Sequence, residues 1–167
     1  MTRVKPTSSS LYAVLVLAAI TAGLDQTSKW LIVFGLNLQA GDAHTLLPFL
    51  DITLLWNRGI SYGLFDAADA QAILIAVTSS VIALFIFMAR RLTSKVMRAS
   101  YGLIIGGAVG NLVDRIVHGA VVDFISPHVA GYYWYVFNLA DIAISLGVAL
   151  LFYDMVRGSS SDHETYA

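Results

Sequence analysis

Apolar residues run in four long stretches separated by short polar segments, at about residues 11–34, 70–88, 100–117 and 135–156. Each is long enough to cross the ~30 Å hydrocarbon core as a helix. Only helices and closed barrels satisfy their backbone in lipid, so the pattern predicts an all-α membrane protein with four transmembrane helices. The second stretch carries no charge; the others carry acids, and the first and third a base as well. Residues 35–69 are long enough for structure of their own, and Asp51-Ile52-Thr53-Leu54-Leu55-Trp56 has the β-branched and aromatic character of a short strand. Asn57-Arg58-Gly59 then predicts a turn. Residues 118–134 form a second, shorter loop, with Pro127, Gly131 and the interface-suited aromatics Tyr132, Tyr133 and Trp134. Residues 159–167 are expected as a disordered tail. No internal repeat is present, and a single domain over residues 1–167 is expected.

Composition supports the membrane assignment. The chain is 57% hydrophobic and 13% charged, with a mean hydropathy of +0.73. A soluble domain carries roughly 25% charged residues. Net charge is −1, which gives no sign of a nucleic-acid partner. The absence of cysteine excludes disulfides and thiolate catalysis, and implies that this chain is not itself a lipoprotein precursor. His44, His118, His128 and His163 are scattered, with no His-x-x-x-His pair, so neither a metal site nor a cofactor is expected.

Charge also sets the expected orientation. Arg3 and Lys5 precede the first span; Arg90, Arg91, Lys95 and Arg98 fill the link between the second and third; Arg157 follows the fourth. Four spans put both termini on one side, and the positive-inside rule makes that side the cytoplasm. A signal peptide ending near Ile20-Thr21-Ala22-Gly23 is the alternative for the first span. The apolar run continues through Trp30-Leu31-Ile32-Val33-Phe34, beyond signal-peptide length.

The polar residues inside the spans share a depth. At ~1.5 Å per residue, Asp25 lies about 21 Å along the first span and Asp114 about 21 Å along the third. Asp141 lies about 9 Å below the outer end of the fourth, in the same outer layer. Asp123, just past the third span, can dip back to meet them. Asp25 and Lys29 are i,i+4; Asn111 shares a face with Asp114 and Arg115; Asn138 shares one with Asp141 and Ser145. Gly102, Gly106 and Gly110 form a small-residue face for close helix packing.

Each of these residues has a plain structural reading. Asp25–Lys29 is a buried ion pair or a shaper of a site. Asn111, Asp114 and Arg115 make an interhelical polar network, with Asp114 expected to pair with Arg115. Asn57 and Arg58 are turn residues. Asp123 and Asp141 differ, because apolar residues flank both and no base lies within one turn in sequence. Buried acids without a counter-charge resist ionisation, and two together hold one proton between them. The residues alone leave open a hydrolytic dyad, a proton relay as in a small transporter, and structural glue in an assembly subunit. Inverted repeats, a transporter hallmark, are absent.

Five segments narrow this choice. Asp25-Gln-Thr-Ser-Lys29, Asn57-Arg-Gly-Ile-Ser-Tyr-Gly63, Gly107-Ala-Val-Gly-Asn-Leu-Val-Asp-Arg115, Val121-Val-Asp-Phe124 and Phe137-Asn-Leu-Ala-Asp141 resemble, in order, the motifs of the lipoprotein signal peptidase (signal peptidase II) family. Tyr62 stands where an aromatic such as Phe is expected. The Gly-x-Gly-Asp motif of another intramembrane aspartic protease family is absent.

The resemblance implies an aspartic endopeptidase of the bacterial inner membrane, with its active site toward the outer leaflet. Its substrates would be diacylglyceryl-modified prolipoproteins, cleaved just before the lipidated Cys. It implies Asp123 and Asp141 as the catalytic dyad, Asn111, Arg115 and Asn138 as pocket residues, and Asp25, Lys29, Asn57 and Asp114 as supporting or substrate-contacting ones. The lipid bilayer and the lipidated precursor are the expected partners, and a monomer the expected state. The two outer loops are expected to close over the substrate.

Overall fold

The computed structural model describes the backbone of residues 8–59 and 67–163, and the side chains of residues 10–59 and 69–157. Helix α1 (Ser8–Trp30) runs into a π-helical turn at Leu31–Gly35; α2 spans Ala67–Ala89, α3 Lys95–His118 and α4 Leu139–His163. All four are long and apolar enough to cross a membrane. Between α1 and α2 lie strands β1 (Ala43–Leu47) and β2 (Leu50–Asn57); between α3 and α4 lie β3 (Val121–Val129) and β4 (Tyr132–Tyr133). The strands form one antiparallel sheet in the order β1-β2-β3-β4.

The four expected spans coincide with the four helices, with shifted ends. Helix α3 begins five residues early because Ser94 caps it, its side chain accepting from the Met97 amide at 3.3 Å, so Lys95 and Arg98 are helical rather than linker. Helix α4 begins at Leu139 rather than 135, because Phe137 is held extended against Ile125, exchanging amide–carbonyl bonds of 2.8 and 3.0 Å. Asp141 therefore sits in the first turn of α4, not well below the end of a span. At the other end α4 continues to His163, over the first positions of the expected tail; residues 164–167 lie outside the described ones.

The strand expected at Asp51–Trp56 is β2. The second loop differs more, because its first half is β3, paired to β2 from Leu50↔Pro127 to Asn57↔Val121. The Asn57-Arg58-Gly59 turn is present, with Gly59 at φ +83° donating its amide to Asn57 Oδ1 at 2.8 Å. Tyr62 and the rest of residues 60–66 lie outside the described residues.

Helix α3 is the central one, packed on α1 and α4, with α2 lying against it. Its glycines make this possible. A Cβ at Gly106 would fall 2.6 Å from the Ala18 carbonyl of α1, one at Gly110 would fall on the Asp25 carboxylate, and one at Gly107 would meet the Ala140 carbonyl of α4. The expected small-residue face is therefore a true close approach. A first apolar cluster, Val14, Ala18, Ala89, Tyr101 and Ile105, fills the half of the bundle farther from the sheet. A second, Ile32, Leu38, Leu54, Val122 and Phe124, packs the sheet onto the π turn of α1. The outward faces of the helices stay apolar, with Leu24, Leu84, Phe87 and Phe152 all more than half exposed, as contact with lipid requires.

Candidate active site

The site is assembled where α4 begins. Asn138 caps the helix: its Oδ1 accepts from the Asp141 amide at 3.0 Å, while Asp141 Oδ2 accepts from the Asn138 amide at 3.2 Å. This is a reciprocal capping box with Asp at the third position, so Asp141 is fixed by the helix start itself. The intervening Ala140 amide, another unpaired donor of the first turn, is taken by Asp25 Oδ1 of α1 at 2.9 Å. Both carboxylates lie at the positive end of the α4 dipole.

Asp123 reaches the same point from the sheet. Gly119, in the left-handed region at φ +66°, ends α3 with its amide on the Arg115 carbonyl at 3.0 Å, and the chain turns back as β3. Asp123 is 1% exposed. Its Oδ1 accepts from Asn138 Nδ2 at 2.6 Å and its Oδ2 from Asn57 Nδ2 at 2.8 Å. Burial pushes its carboxyl up to about 6; the Asn57 amide opposes this, Asp141 adds to it, and Asn138 and Lys29 oppose it further.

Asn111 of α3 joins the two acids. Its Nδ2 donates to Asp141 Oδ1 at 2.9 Å, and its Oδ1 accepts from Asn138 Nδ2 at 3.1 Å and from Lys29 Nζ at 2.9 Å. Lys29 is also ion-paired with Asp25 Oδ2 and Asp114 Oδ2, each at 2.8 Å. The expected pairing of Asp114 with Arg115 is thus replaced. Adjacent residues on a helix point about 100° apart, so Asp114 faces α1 while Arg115 cannot follow it. Asp114 instead accepts from Lys29, from Gln26 Nε2 at 2.7 Å and from the Val122 amide at 3.0 Å. Arg115 donates Nη1 to the Asn111 carbonyl at 3.3 Å, and its buried Nε has no hydrogen-bond partner among the described residues.

Asp25, Lys29, Asn57, Asn111, Asp114, Asp123, Asn138 and Asp141 therefore form one connected network, with Arg115 at its edge. Gln26 is the member that sequence reasoning passed over. Its signal was an uncharged amide inside an apolar span, one position from Asp25. Neither Asp123 nor Asp141 forms an ion pair among the described residues; the sheet's other buried acid, Asp51, has His128 at 3.3 Å. No group of three or more His, Asp or Glu is arranged to hold a metal among the described residues. Chemically, the arrangement offers two adjacent acids, one titrating near 6, bordered by amide donors.

The family model for signal peptidase (SPase) II matches residues 17–157. The lipoprotein signal peptidase of Rhodopseudomonas palustris is 46% identical over 151 residues, covering 86% of this chain and 92% of that one. That of Nitrobacter hamburgensis is 47% identical over 147 residues, covering 83% and 89%. A solved bacterial membrane enzyme superposes with a TM-score of 0.78 at 25% identity, over 96% of both chains. The chain belongs to the signal peptidase II family.

Proposed function

We propose that this protein removes signal peptides from diacylglyceryl-modified prolipoproteins, cutting just before the lipidated Cys, with Asp123 and Asp141 activating the water. The observation that carries this reading is the meeting of two acids from separate elements on one asparagine, Asn138, with neither in an ion pair among the described residues. Such a pair holds a shared proton, leaving one carboxylate as base and the other as acid. The raised Asp123 keeps its proton into the weakly acidic range.

The base takes a proton from water, whose oxygen attacks the scissile carbonyl, while the acid protonates the carbonyl oxygen. Collapse of the tetrahedral adduct breaks the C–N bond, and a proton passes to the leaving amine. The roles of base and acid are assigned to the pair and not to either residue. This chemistry requires neither a metal nor a covalent intermediate. Asn138 has both amide hydrogens engaged, by Asp123 and Asn111, which gives it a positioning role. Arg115, with its Nε unpartnered, is the candidate donor to the substrate backbone or the developing oxyanion.

The basic residues around α2–α3 and after α4 support cytoplasmic termini. The site then lies toward the outer leaflet of a bacterial inner membrane, where acyl chains stay in lipid while the peptide bond reaches the acids.

Mass spectrometry of a diacylated precursor incubated with wild type, D123N and D141N tests the reading. Cleavage before the lipidated Cys by wild type alone is expected; wild-type rates from either variant overturn it. Because the chain lacks cysteine, R58C and R157C report topology cleanly. An impermeant maleimide added outside intact cells should label the first and spare the second.

A further inference from the structure

Two carboxylates hold the chain one residue ahead of each dyad acid, and one lysine joins those carboxylates. Asp25 accepts from the amide of Ala140, the residue before Asp141. Asp114 accepts from the amide of Val122, the residue before Asp123. Lys29 Nζ lies 2.8 Å from an oxygen of each. Fixing the amide of residue n−1 anchors the chain one residue ahead of residue n, and the regular backbone angles of β3 and of the first turn of α4 carry that anchor to the next side chain.

We propose that Lys29, with Asp25 and Asp114, is a positioning clamp that sets the separation and orientation of Asp123 and Asp141. The proposal rests on the dyad reading above and deepens it. Asp123 comes from the sheet and Asp141 from the start of α4, so their spacing needs a common reference. The clamp supplies one from α1 and α3, where Gly110 lets α3 close onto Asp25. Gln26 Nε2 completes it by fixing the other oxygen of Asp114 at 2.7 Å and bonding the Gly110 carbonyl at 3.0 Å.

Stability alone does not account for this trio. Lys29, Asp25 and Asp114 are 3%, 0% and 2% exposed, so all three charges are removed from solvent. Apolar residues of similar volume commonly serve stability as well as or better than a buried ionic group. What apolar residues cannot do is accept from the two amides that lead into the dyad.

The test compares K29M with the triple variant D25L/K29M/D114L, which removes both amide acceptors together with the lysine, using a diacylated precursor in mixed micelles and kcat per folded molecule. K29M is close to isosteric but leaves two facing carboxylates, so it has a folding liability. The triple variant leaves no buried charge unpaired and keeps the falsifiability if K29M fails to fold. The clamp predicts that the triple variant folds and loses about 10²-fold in kcat with KM within about twofold, as misplaced reacting groups do. A triple variant with wild-type kcat overturns the clamp, as does a loss confined to KM or to folded yield. D123N and D141N run in parallel separate the two claims. If they are inactive while the triple variant is fully active, the dyad reading stands and the clamp falls; if they remain active, the dyad reading falls first.

Discussion

The two halves of the helix bundle hold polar atoms inside an apolar slab in opposite ways. In the half around Val14, Tyr101 and Ile105, the two fully buried polar side chains, Ser10 and Ser100, donate their hydroxyls to backbone carbonyls. Ser10 bonds the carbonyls of Ala89 and Leu92 at 3.3 and 2.9 Å, and Ser100 bonds that of Gly147 at 2.7 Å. Each such bond is a single neutral donor on a carbonyl of another segment, so losing one leaves no charge unmatched. In the half next to the sheet, charged and amide side chains bond mainly to one another and to loose amide donors at element starts. There, removing one member leaves a buried charge or donor unmatched, which is costly. The first half is a packing solution open to substitution; the second has an arrangement to preserve.

The largest effect expected from breaking that arrangement is on chemistry. D123N or D141N should lower kcat by about 10²–10⁴-fold, the range for loss of a positioned acid or base, while the protein stays folded with a thermal midpoint in detergent lowered by the one donor left unmatched, a cost of about 1–3 kcal/mol. Precursor cleavage followed by mass spectrometry is the measurement. Collapse of the thermal midpoint in both would mean the acids hold the fold instead.

A pH experiment sharpens the contrast, because only the sheet-side half contains a carboxyl displaced this way outside the spans. Asp123 rises from 3.8 to about 6. The folded state therefore binds this proton more tightly than the unfolded state. The stabilisation is complete below 3.8 and is lost as pH rises through about 6, a swing of roughly 3 kcal/mol at most. Thermal midpoints of wild type minus those of D123A, measured from pH 4 to 7.5, should fall across that window. A flat difference would remove the basis for the raised carboxyl.

Much of this contrast is legible in the sequence, for a physical reason. Depth follows from helical rise, and facing from i,i+3 and i,i+4 spacing, so the layer containing Asp25, Asn111 and Asp114 could be read from residue positions, whereas counting the depth of Asp141 from 135 starts four residues before α4 begins. What stayed hidden depends on where elements start. Residues 118–134 read as a loop on Pro127 and Gly131 although Val121, Val122 and Ile125 are β-branched, and only pairing with β2 reveals the strand. Without β3, Asp123 had no fixed address and Asp114 no amide to hold. The capping box at Asn138–Asp141 was masked in the same way, because Tyr135-Val136-Phe137 continues the apolar pattern although its backbone is extended. Gln26 needed the rotation of α1 against α3, which one sequence does not contain.

Glycines on α3 offer a milder perturbation in each half. A Cβ at Gly110 would fall on the Asp25 carboxylate, whereas one at Gly102 would meet the Leu17 side chain about 2.8 Å away. Both substitutions overpack, at about 1–3 kcal/mol each. G110A should also lower kcat per folded molecule, because it displaces an acid of the clamp; G102A should leave kcat unchanged. Equal kcat losses in the two variants would show that helix spacing, not the clamp, governs the site.

The smallest effect tests whether the halves are independent. Ile105 is 2% exposed within the apolar cluster, touches no member of the polar network by hydrogen bond, and lies one residue from the glycine that meets Ala18. I105V removes one methylene and should cost about 0.5–1.5 kcal/mol, with kcat per folded molecule at the wild-type value. Combined with G110A, its stability cost should add to within about 0.5 kcal/mol, as for sites without shared partners. Thermal or denaturant unfolding in one detergent gives both numbers. Strong non-additivity would mean that strain in the apolar half reaches Asp25 through α1, and that the apolar half helps set the geometry of the acids.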